Sequence, residues 1–481
     1  MKQKNAATRA CILLTAIALA TGFSALVACN NPAGKSKQKG ATVGENEGDG
    51  EKPNIIFVLT DDHRWDALGA MGNAIIQTPH LDRLANEGLM FPNAYVTTAI
   101  CSVSRASILS GQYMSRHGIE DFATNFTPEA LAETYPILLK EAGYVIGFAG
   151  KYGVGNNPPQ ERFDFWECTN KGQPPYEYDT GKGRIIHHTD SVGNIVRKFL
   201  NEFAGEGKAP FCLSVSFKAP HELDGDPPTY PVQERFKDLY ADQEIPVPLT
   251  AAPEYWNRFP DFFRTEENLA RKRWKALFST PELFQENVKN YYRLITGVDE
   301  VIGAMRSQLE ALGAHRNTVI IFMGDNGFYL GEHGMEGKWY GHEESIRVPL
   351  LIYDPRPGAR QGTPDLIALN IDIAPTILGL AGLPQPSAMQ GQNLLSLLDQ
   401  QESRTDFFYE HTFLGSPRLP QVEGVVSREL KYMKFIEHGY EELYDLEKDP
   451  QETTNLAALP QHAERLQEMR ARYEELKAQA R

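Results

Sequence analysis

Short apolar runs that alternate with helical patterns are the feature that most constrains the fold of this chain. The runs are rich in β-branched and aromatic residues and lie at Asn54–Thr60, Tyr144–Ala149, Phe211–Phe217, Thr318–Met323 and Pro349–Tyr353. Helical spacing of apolar residues occurs between them, at Leu81–Gly88, Leu131–Ala142, Ser191–Phe203 and Asn290–Leu312. Continuous apolar strands separated by helices predict an α/β fold with a large, mostly parallel sheet that helices cover on both faces.

Polar residues follow several of these predicted strands directly. Asp61-Asp62 and Asp325-Asn326 each come after a strand, and so do Lys151 and, a few residues further on, His221. Ligands of parallel α/β sheets bind beyond the carboxyl ends of the strands, so these side chains are expected to converge. Carboxylate and amide oxygens suit Ca²⁺ or Mg²⁺, although each pair alone is equally typical of a solvated turn.

A lone cysteine, Cys101, precedes a predicted helix over Ser104–Gly111, and Arg105 follows it by four residues. A cysteine in such a place is often a small buried residue. At a helix N-terminus, where N–H groups and the helix dipole favour an anion, it is also a candidate thiolate nucleophile. Lys338, like Lys151, is flanked by glycine and an aromatic residue, which favours a packed loop over a free surface.

The chain changes character in two further regions. Residues Asp224–Gln285 are proline-spotted, aromatic and charged without a strand period, which predicts an insertion packed near the mouth of the site. After Leu398, strand-like runs at Val425–Ser427, Lys431–Glu437 and Glu442–Leu446 precede a helical pattern over Gln461–Gln479. We therefore predict a catalytic domain over 53–398 with an insertion at about 224–285, and a small C-terminal subdomain over 399–481 with an antiparallel sheet plus a helix.

The first residues have the pattern of a targeting signal. Three basic residues precede an apolar run over Ala10–Ala28, which predicts a signal peptide over 1–28, with a retained membrane helix as the alternative. The segment Leu26-Val27-Ala28-Cys29 resembles a bacterial lipobox, so Cys29 is expected to carry a lipid anchor and 29–52 to form a flexible tether. The expected location is exported and lipid-anchored in the bacterial cell envelope.

The net charge of −15 limits the partners of this chain. A strongly acidic protein is a poor general binder of nucleic acid, and an anionic substrate requires a local positive pocket. Two further cysteines, Cys168 and Cys212, either pair in an oxidising compartment or are buried thiols; two cysteines do not make a disulfide framework.

The order of these motifs resembles the formylglycine-dependent sulfatase family of the alkaline-phosphatase-like superfamily. Further segments match it in order: Thr78-Pro79-His80-Leu81-Asp82, Arg116-His117-Gly118, Gly331-Glu332-His333-Gly334, Arg347-Val348-Pro349 and Asp372-Ile373-Ala374-Pro375-Thr376. The resemblance implies a sulfatase that hydrolyses O-sulfate esters, with a sulfated carbohydrate as the expected substrate.

The resemblance also implies roles for the site residues. A formylglycine-generating enzyme oxidises Cys101 to formylglycine, whose hydrate attacks the sulfate ester. One Ca²⁺, or Mg²⁺, is held by Asp61, Asp62, residue 101, Asp325 and Asn326. Arg105 holds the aldehyde hydrate, Lys151 and Lys338 bind sulfate, and His221 protonates the leaving alcohol. His80, His117 and Arg347 are expected to be structural; His411, which could reach the substrate, is expected to be buried and structural.

This chain departs from the family pattern at two positions. Val103 stands where the family usually has proline or alanine, a position that maturating enzymes read. Gly153 stands where the family commonly has a histidine that acts as a base. The candidate replacements are His63, His187, His188 and His333.

Two alternatives remain at this point. One is a phosphate or phosphonate ester hydrolase on the same fold, which Asp325-Asn326 and Cys101 disfavour because those relatives often have Asp-His and bind a transition metal. The other is a catalytically weak lipoprotein that binds sulfated glycans, which only Val103 and Gly153 favour.

Overall fold

A seven-stranded sheet forms the centre of the structure, a computed structural model that describes residues 52–481 apart from 170–171, 180, 182 and 401–402. The predicted signal peptide and Cys29 lie outside the described residues. The strands are β1 Asn54–Asp61, β2 Leu89–Met90, β3 Val145–Lys151, β4 Phe165–Thr169, β5 Phe211–Pro220, β6 Thr318–Gly324 and β7 Leu350–Tyr353.

These strands lie in the order β2-β7-β6-β1-β5-β3-β4. The five strands from β6 to β4 are parallel to their neighbours, whereas β7 is antiparallel to both β6 and β2. The prediction of a mostly parallel sheet is confirmed, with its antiparallel strand near one edge.

Helices cover both faces because successive strand residues point in opposite directions. On β1, Ile55, Phe57 and Leu59 belong to one core, and Ile56 and Val58 belong to the other. The principal helices are α1 Pro79–Glu87, α2 Cys101–Ser110, α3 Tyr135–Glu141, α4 His188–Phe203, α5 Leu269–Leu277, α6 Pro281–Ala311, α7 Ile373–Leu380 and α8 Ala463–Ala480. Helices α2, α3 and α7 close the first core, and α1, α4 and α6 close the second.

Two helix boundaries differ from the sequence prediction. Helix α6 begins at Pro281, inside the predicted insertion, because Thr280 caps it and proline is well suited to the first helical turn. The predicted helix over 131–142 is two helices, Pro128–Ala132 and Tyr135–Glu141. Pro136 fits the first turn of a new helix, whereas in the interior of one long helix it would remove a backbone hydrogen bond.

The C-terminal part forms a separate four-stranded antiparallel sheet: β8 Asp406–His411, β9 Val422–Ser427, β10 Leu430–Phe435 and β11 Tyr440–Asp445. Its apolar side chains pack against α8. This confirms the predicted small sheet plus helix, while the boundary at 398/399 stays a prediction. The sequence prediction missed β8 because both of its faces are buried: Phe407 packs in the large core and Phe408 in the small one.

Two further observations concern the described helices and the two remaining cysteines. None of the described helices is both long and apolar enough to cross a membrane. Cys168 and Cys212 are free, so the alternative of a disulfide between them is wrong.

Candidate active site

Four strand ends meet at one edge of the central sheet. Asp61 ends β1, Lys151 ends β3, His221 follows β5 and Asp325 follows β6. Because these strands are adjacent and parallel, their carboxyl ends bring the four side chains into one buried cluster.

Cys101 is the first residue of α2, which begins three residues earlier than the predicted helix. Its side chain is buried, and its Sγ lies 3.1 Å from Oδ1 of Asp61. Burial, with Asp61 adding to it, raises the pKa of the Cys101 thiol well above its ordinary value. Burial thus disfavours the thiolate form of the unmodified residue.

Arg105 lies one helical turn after Cys101 and connects three strand ends. Its Nε donates to Oδ2 of Asp325 at 2.9 Å, and its Nη1 donates to the Lys151 carbonyl at 2.7 Å. Its Nη2 is buried without a hydrogen-bond partner, 3.7 Å from Oδ2 of Asp61. Nη2 of this rigidly held guanidinium is therefore available to donate a hydrogen bond to an oxygen atom of a ligand or of a modified residue 101.

The two lysines form ion pairs with the two adjacent aspartates. Lys151 pairs with Asp61, and Nζ of Lys338 lies 2.5 and 2.6 Å from the carboxylate oxygens of Asp62. Lys338 is carried on a tight loop in which Trp339 has a φ of 88°. A left-handed backbone at a bulky residue costs energy and is typical of functional sites, where the surroundings hold it in place.

Burial and the neighbouring charges together shift the pKa values of the aspartates in different directions. Burial alone would raise the pKa of Asp61, but Lys151, His221, Arg105 and Lys338 hold it well below its ordinary value. Burial raises the pKa of Asp62 despite Lys338, and burial together with Asp61 raises the pKa of Asp325 to about 7. The three aspartates face three bonded cations, Arg105, Lys151 and Lys338, so burial is the main cause of the two raised values. A divalent cation beside Asp62 and Asp325 would favour their charged forms.

The donor atoms fit such an ion. Ligand atoms of Asp61, Asp62, Cys101 and His221 lie within 4.8 Å of one another. Oδ1 of Asn326 is buried without a partner. Three of these five donor atoms are oxygens, with the Cys101 sulfur and a His221 ring nitrogen beside them, so the group could hold a divalent metal ion.

Two residues differ from the ligand set that the sequence predicts: Asp325 bonds to other residues, and His221 lies among the ligand atoms. The carboxylate of Asp325 faces Arg105 and accepts a 3.1 Å hydrogen bond from the Asp62 amide. His221, for which the sequence suggested no metal role, lies among the grouped ligand atoms.

His221 has a fixed ring orientation. Its Nδ1 lies 2.6 Å from the carbonyl oxygen of Glu222, which can only accept, so Nδ1 carries the proton. Nε2 lies 3.5 Å from Oδ2 of Asp62, and the residue lines the cavity. The hydroxyl of Tyr176 donates to the backbone carbonyl of His221. Sequence reasoning missed Tyr176, since nothing in its spacing relates it to His221.

A cavity of about 470 Å³ opens over the cluster. Cys101, Lys151, His221 and Lys338 line it, together with apolar side chains that include Phe122, Tyr152, Leu269, Trp339, Phe413 and Leu419. Reactive groups and apolar walls therefore share one concave site, the usual arrangement of an enzyme pocket.

The predicted insertion contributes Arg273, on α5, to the cavity wall. Arg273 pairs with Glu222, with Asp224 at 2.9 Å and with Glu336 at 3.6 Å. Glu222 adjoins His221, and Glu336 lies two residues before Lys338, so Arg273 connects the two loops that carry these residues. Sequence reasoning placed the insertion near the site but did not single out this residue.

None of the four candidate replacement bases lines the cavity. His63 bonds to Thr60 and the Ala67 carbonyl, and His187 caps α4. His188 and His333 are buried, which lowers the pKa of each to about 3. Among the described residues, His221 is the one histidine that lines the cavity.

The other histidines and Arg347 lie elsewhere. His117 bonds to Ser107 at 3.0 Å, His80 packs against Gly303, and Arg347 stacks over Trp65 at 4.0 Å. His411 ends β8 and is fully buried. These four residues do not line the cavity.

Gly153 fits its position in a way that a histidine would not. Its φ is +76°, and a Cβ there would lie 2.9 Å from Cδ of Arg105. Any side chain at this position would displace the guanidinium that holds Asp325 and the Lys151 loop. The glycine is therefore part of the packing of Arg105.

Gly153→Ala is accordingly expected to lower kcat as well as stability. The matched control is Gly143→Ala, because Gly143 has a φ of +88° but open space around its Cβ. Both variants should lose about 1 kcal/mol of unfolding free energy from backbone strain. Thermal unfolding and steady-state kinetics measure the two effects; equal kcat values in the two variants would contradict a role of Gly153 in placing Arg105.

The fold and the site together define an α/β enzyme with a candidate nucleophile at a helix N-terminus, beside a carboxylate cluster that could hold a metal ion. The sulfatase family model matches residues 53–383, and the C-terminal model of N-sulphoglucosamine sulphohydrolase matches residues 331–479. The chain belongs to the sulfatase family and is a sulfuric ester hydrolase.

Individual relatives agree with this assignment. An N-acetylglucosamine-6-O-sulfatase of Bacteroides thetaiotaomicron is 28% identical, over 89% of this chain and 87% of its own. A solved structure in complex with its substrate D-glucosamine-2-N,6-O-disulfate is 26% identical, with a TM-score of 0.74 over 89% of this chain and 98% of its own. A phosphonate monoester hydrolase of Silicibacter pomeroyi has a TM-score of 0.76 at 21% identity, over 89% of this chain and 96% of its own, which shows a shared fold alone.

Proposed function

We propose that this enzyme hydrolyses O-sulfate esters on a carbohydrate, with formylglycine formed from Cys101 as the nucleophile and one Ca²⁺ in the carboxylate cluster. The observation that carries the proposal is the placement of Cys101 at the start of a buried helix, 3.1 Å from Asp61 and in one cavity with two lysines. The names of the relatives, which include an N-acetylglucosamine-6-O-sulfatase and an ulvan-active sulfatase, favour a glycan substrate.

Each residue of the site then has its own role in the reaction. Lys151 and Lys338 neutralise the sulfate oxygens, and Asp61 and Asp62, which they now pair with, would hold the metal together with Asn326. When present, formylglycine supplies a hydroxyl nucleophile and Ca²⁺ draws charge from the sulfate. Arg105 orients the group at residue 101 through its free Nη2. Because Nδ1–H is held by the Glu222 carbonyl, the acid form of His221 is the imidazolium, whose Nε2–H protonates the leaving alcohol and leaves the neutral ring.

Sulfate release from sulfated sugars tests this function, with enzyme produced alongside a formylglycine-generating enzyme. His221→Gln should lower kcat/KM about 10²–10⁴-fold for a sugar sulfate, whose alcohol leaves only when protonated. The same variant should lose far less with 4-nitrophenyl sulfate, because nitrophenolate leaves without a proton. Equal losses on both substrates would refute the acid role, and absence of sulfate release by the wild type from every sulfated sugar would refute the function.

A phosphonate ester hydrolase on the same fold remains the second candidate, since the shared fold allows it. Asn326 at the position after Asp325, and a cation site of oxygen donors, favour sulfate over that chemistry. Parallel assays with phenyl phosphonate esters separate the two, and a higher kcat/KM for the phosphonate would reverse the assignment.

We further propose export and lipid anchoring through Cys29, on the strength of the lipobox-like segment before it. Cys29→Ser should shift the protein from the detergent-soluble membrane fraction to the aqueous fraction. The same fractionation of both forms would exclude the anchor.

A further inference from the structure

Two aromatic rings stand at the rim of the cavity. Phe122 is 49% exposed, which is unusual for a large apolar side chain, and Phe413 is half-buried. Their centroids lie 5.5 Å apart with an interplanar angle of 89°, an edge-to-face pair. Both rings line the same cavity as Cys101. Exposed apolar surface beside a reactive site is typical of a ligand contact.

The Phe122 ring is held from the catalytic helix. Oδ1 of Asp121 accepts hydrogen bonds from the amides of Ala123 and Thr124 at 2.8 and 2.7 Å, which fixes the turn that carries Phe122. The Ser102 hydroxyl, one residue after Cys101, donates to the Asp121 carbonyl at 2.8 Å. The ring therefore keeps a set position relative to the nucleophile.

The Phe413 ring is held from the C-terminal sheet. The carboxylate of Glu437 accepts hydrogen bonds from the amides of Ser416 and Gln421 within the loop after β8. The preceding residue, Thr412, donates to Oε2 of Glu120 at 3.4 Å, which connects the two ring-bearing loops. A surface ordered before the ligand arrives loses little entropy on binding.

The charged side chains of Arg273 and Asp224 in the cavity wall do not favour binding of a second anion. Arg273 is already paired with Glu222, Asp224 and Glu336. Asp224, whose side chain is 57% exposed, is one of these partners, so Arg273 offers no unpaired positive charge to an approaching carboxylate or sulfate.

We propose that Phe122 and Phe413 form a subsite for the uncharged ring of the sugar linked to the sulfated one. The C–H face of a pyranose is apolar and packs on aromatic rings, whereas the carboxylate of a hexuronate would compete with Glu222, Asp224 and Glu336 for Arg273. This inference rests on the proposed glycan sulfatase function and narrows its substrate to a sulfated sugar with a neutral neighbour.

The test compares three probes: N-acetylglucosamine 6-sulfate, its disaccharide with galactose and its disaccharide with glucuronate. The galactose disaccharide should have the lowest KM for the wild type. Phe122→Ala and Phe413→Ala should raise that KM about tenfold, the size of a lost aromatic contact, and change the monosaccharide KM by no more than about twofold. Phe122→Trp, which keeps an aromatic face, should retain the wild-type value, and so should Leu249→Ala, an equally exposed apolar residue away from the cavity.

Equal KM changes on all three probes, or a wild-type preference for the glucuronate disaccharide, would overturn the subsite. If the wild type releases no sulfate from these three probes, the failure concerns hydrolysis of this sugar sulfate and not the subsite. In that event calorimetry with Cys101→Ser protein decides: tighter binding of the galactose disaccharide than of the monosaccharide, lost in the Phe122→Ala background, supports the subsite. Equal affinities, or no binding, exclude it.

Discussion

Cys101→Ser is expected to lower sulfate release by about 10⁶-fold, the loss typical of removing a catalytic nucleophile. Serine keeps the size of the side chain and its hydrogen bond to Asp61 at the start of α2, so the fold should not change. The variant is produced with a formylglycine-generating enzyme that is specific for cysteine, so the serine is not converted and the aldehyde is absent. The variant therefore separates the chemistry of residue 101 from its packing.

Peptide mass spectrometry and kinetics together check this result. The wild-type peptide that contains residue 101 should be lighter by ~18 Da than its thiol form, as expected for conversion of a thiol to an aldehyde. Cys168→Ser is the control, a free thiol that does not line the cavity. A full cysteine mass in active enzyme would mean that Val103 prevents maturation and that the nucleophile is another group.

Removal of the divalent cation is expected to lower kcat/KM by about 10³-fold or more, because a metal contributes several kcal/mol to the charged transition state. Chelation should achieve this, and Ca²⁺ should restore activity better than Zn²⁺ because the donors are mainly oxygens. Asp62→Asn should have the same effect, since it removes a ligand charge that Lys338 now balances.

The melting temperature provides an independent measure of the ion. Addition of Ca²⁺ at 100 times its Kd should stabilise the wild type by about 2.7 kcal/mol, and should not stabilise Asp62→Asn. Asp190→Asn, at a surface pair with Arg235, is the control. Full activity after exhaustive chelation, with no shift in melting temperature, would exclude a metal at this cluster.

Much of the fold followed from local patterns. The runs that became β1, β3, β5 and β6 are apolar on both faces, so their burial between two helical layers was already encoded in their composition. Position after a strand end was enough to group Asp61, Lys151, His221 and Asp325. Two kinds of element were not predicted correctly. The start of α6 was placed too late because the Thr280 cap sets it, and β8 was missed because both of its faces are buried and its residues do not alternate between apolar and polar.

The sequence by itself determined the fold class, the family and the residues that meet at the strand ends, because those depend on periodicity and on motifs a few residues long. Only the tertiary structure decided how the charges pair, that Arg105 fills the space beside Gly153, and that Arg273 connects the loops of His221 and Lys338. It also brought Phe122 and Phe413, almost three hundred residues apart, into one edge-to-face pair. Such contacts depend on how distant segments pack together, and a local sequence pattern contains no information about that packing.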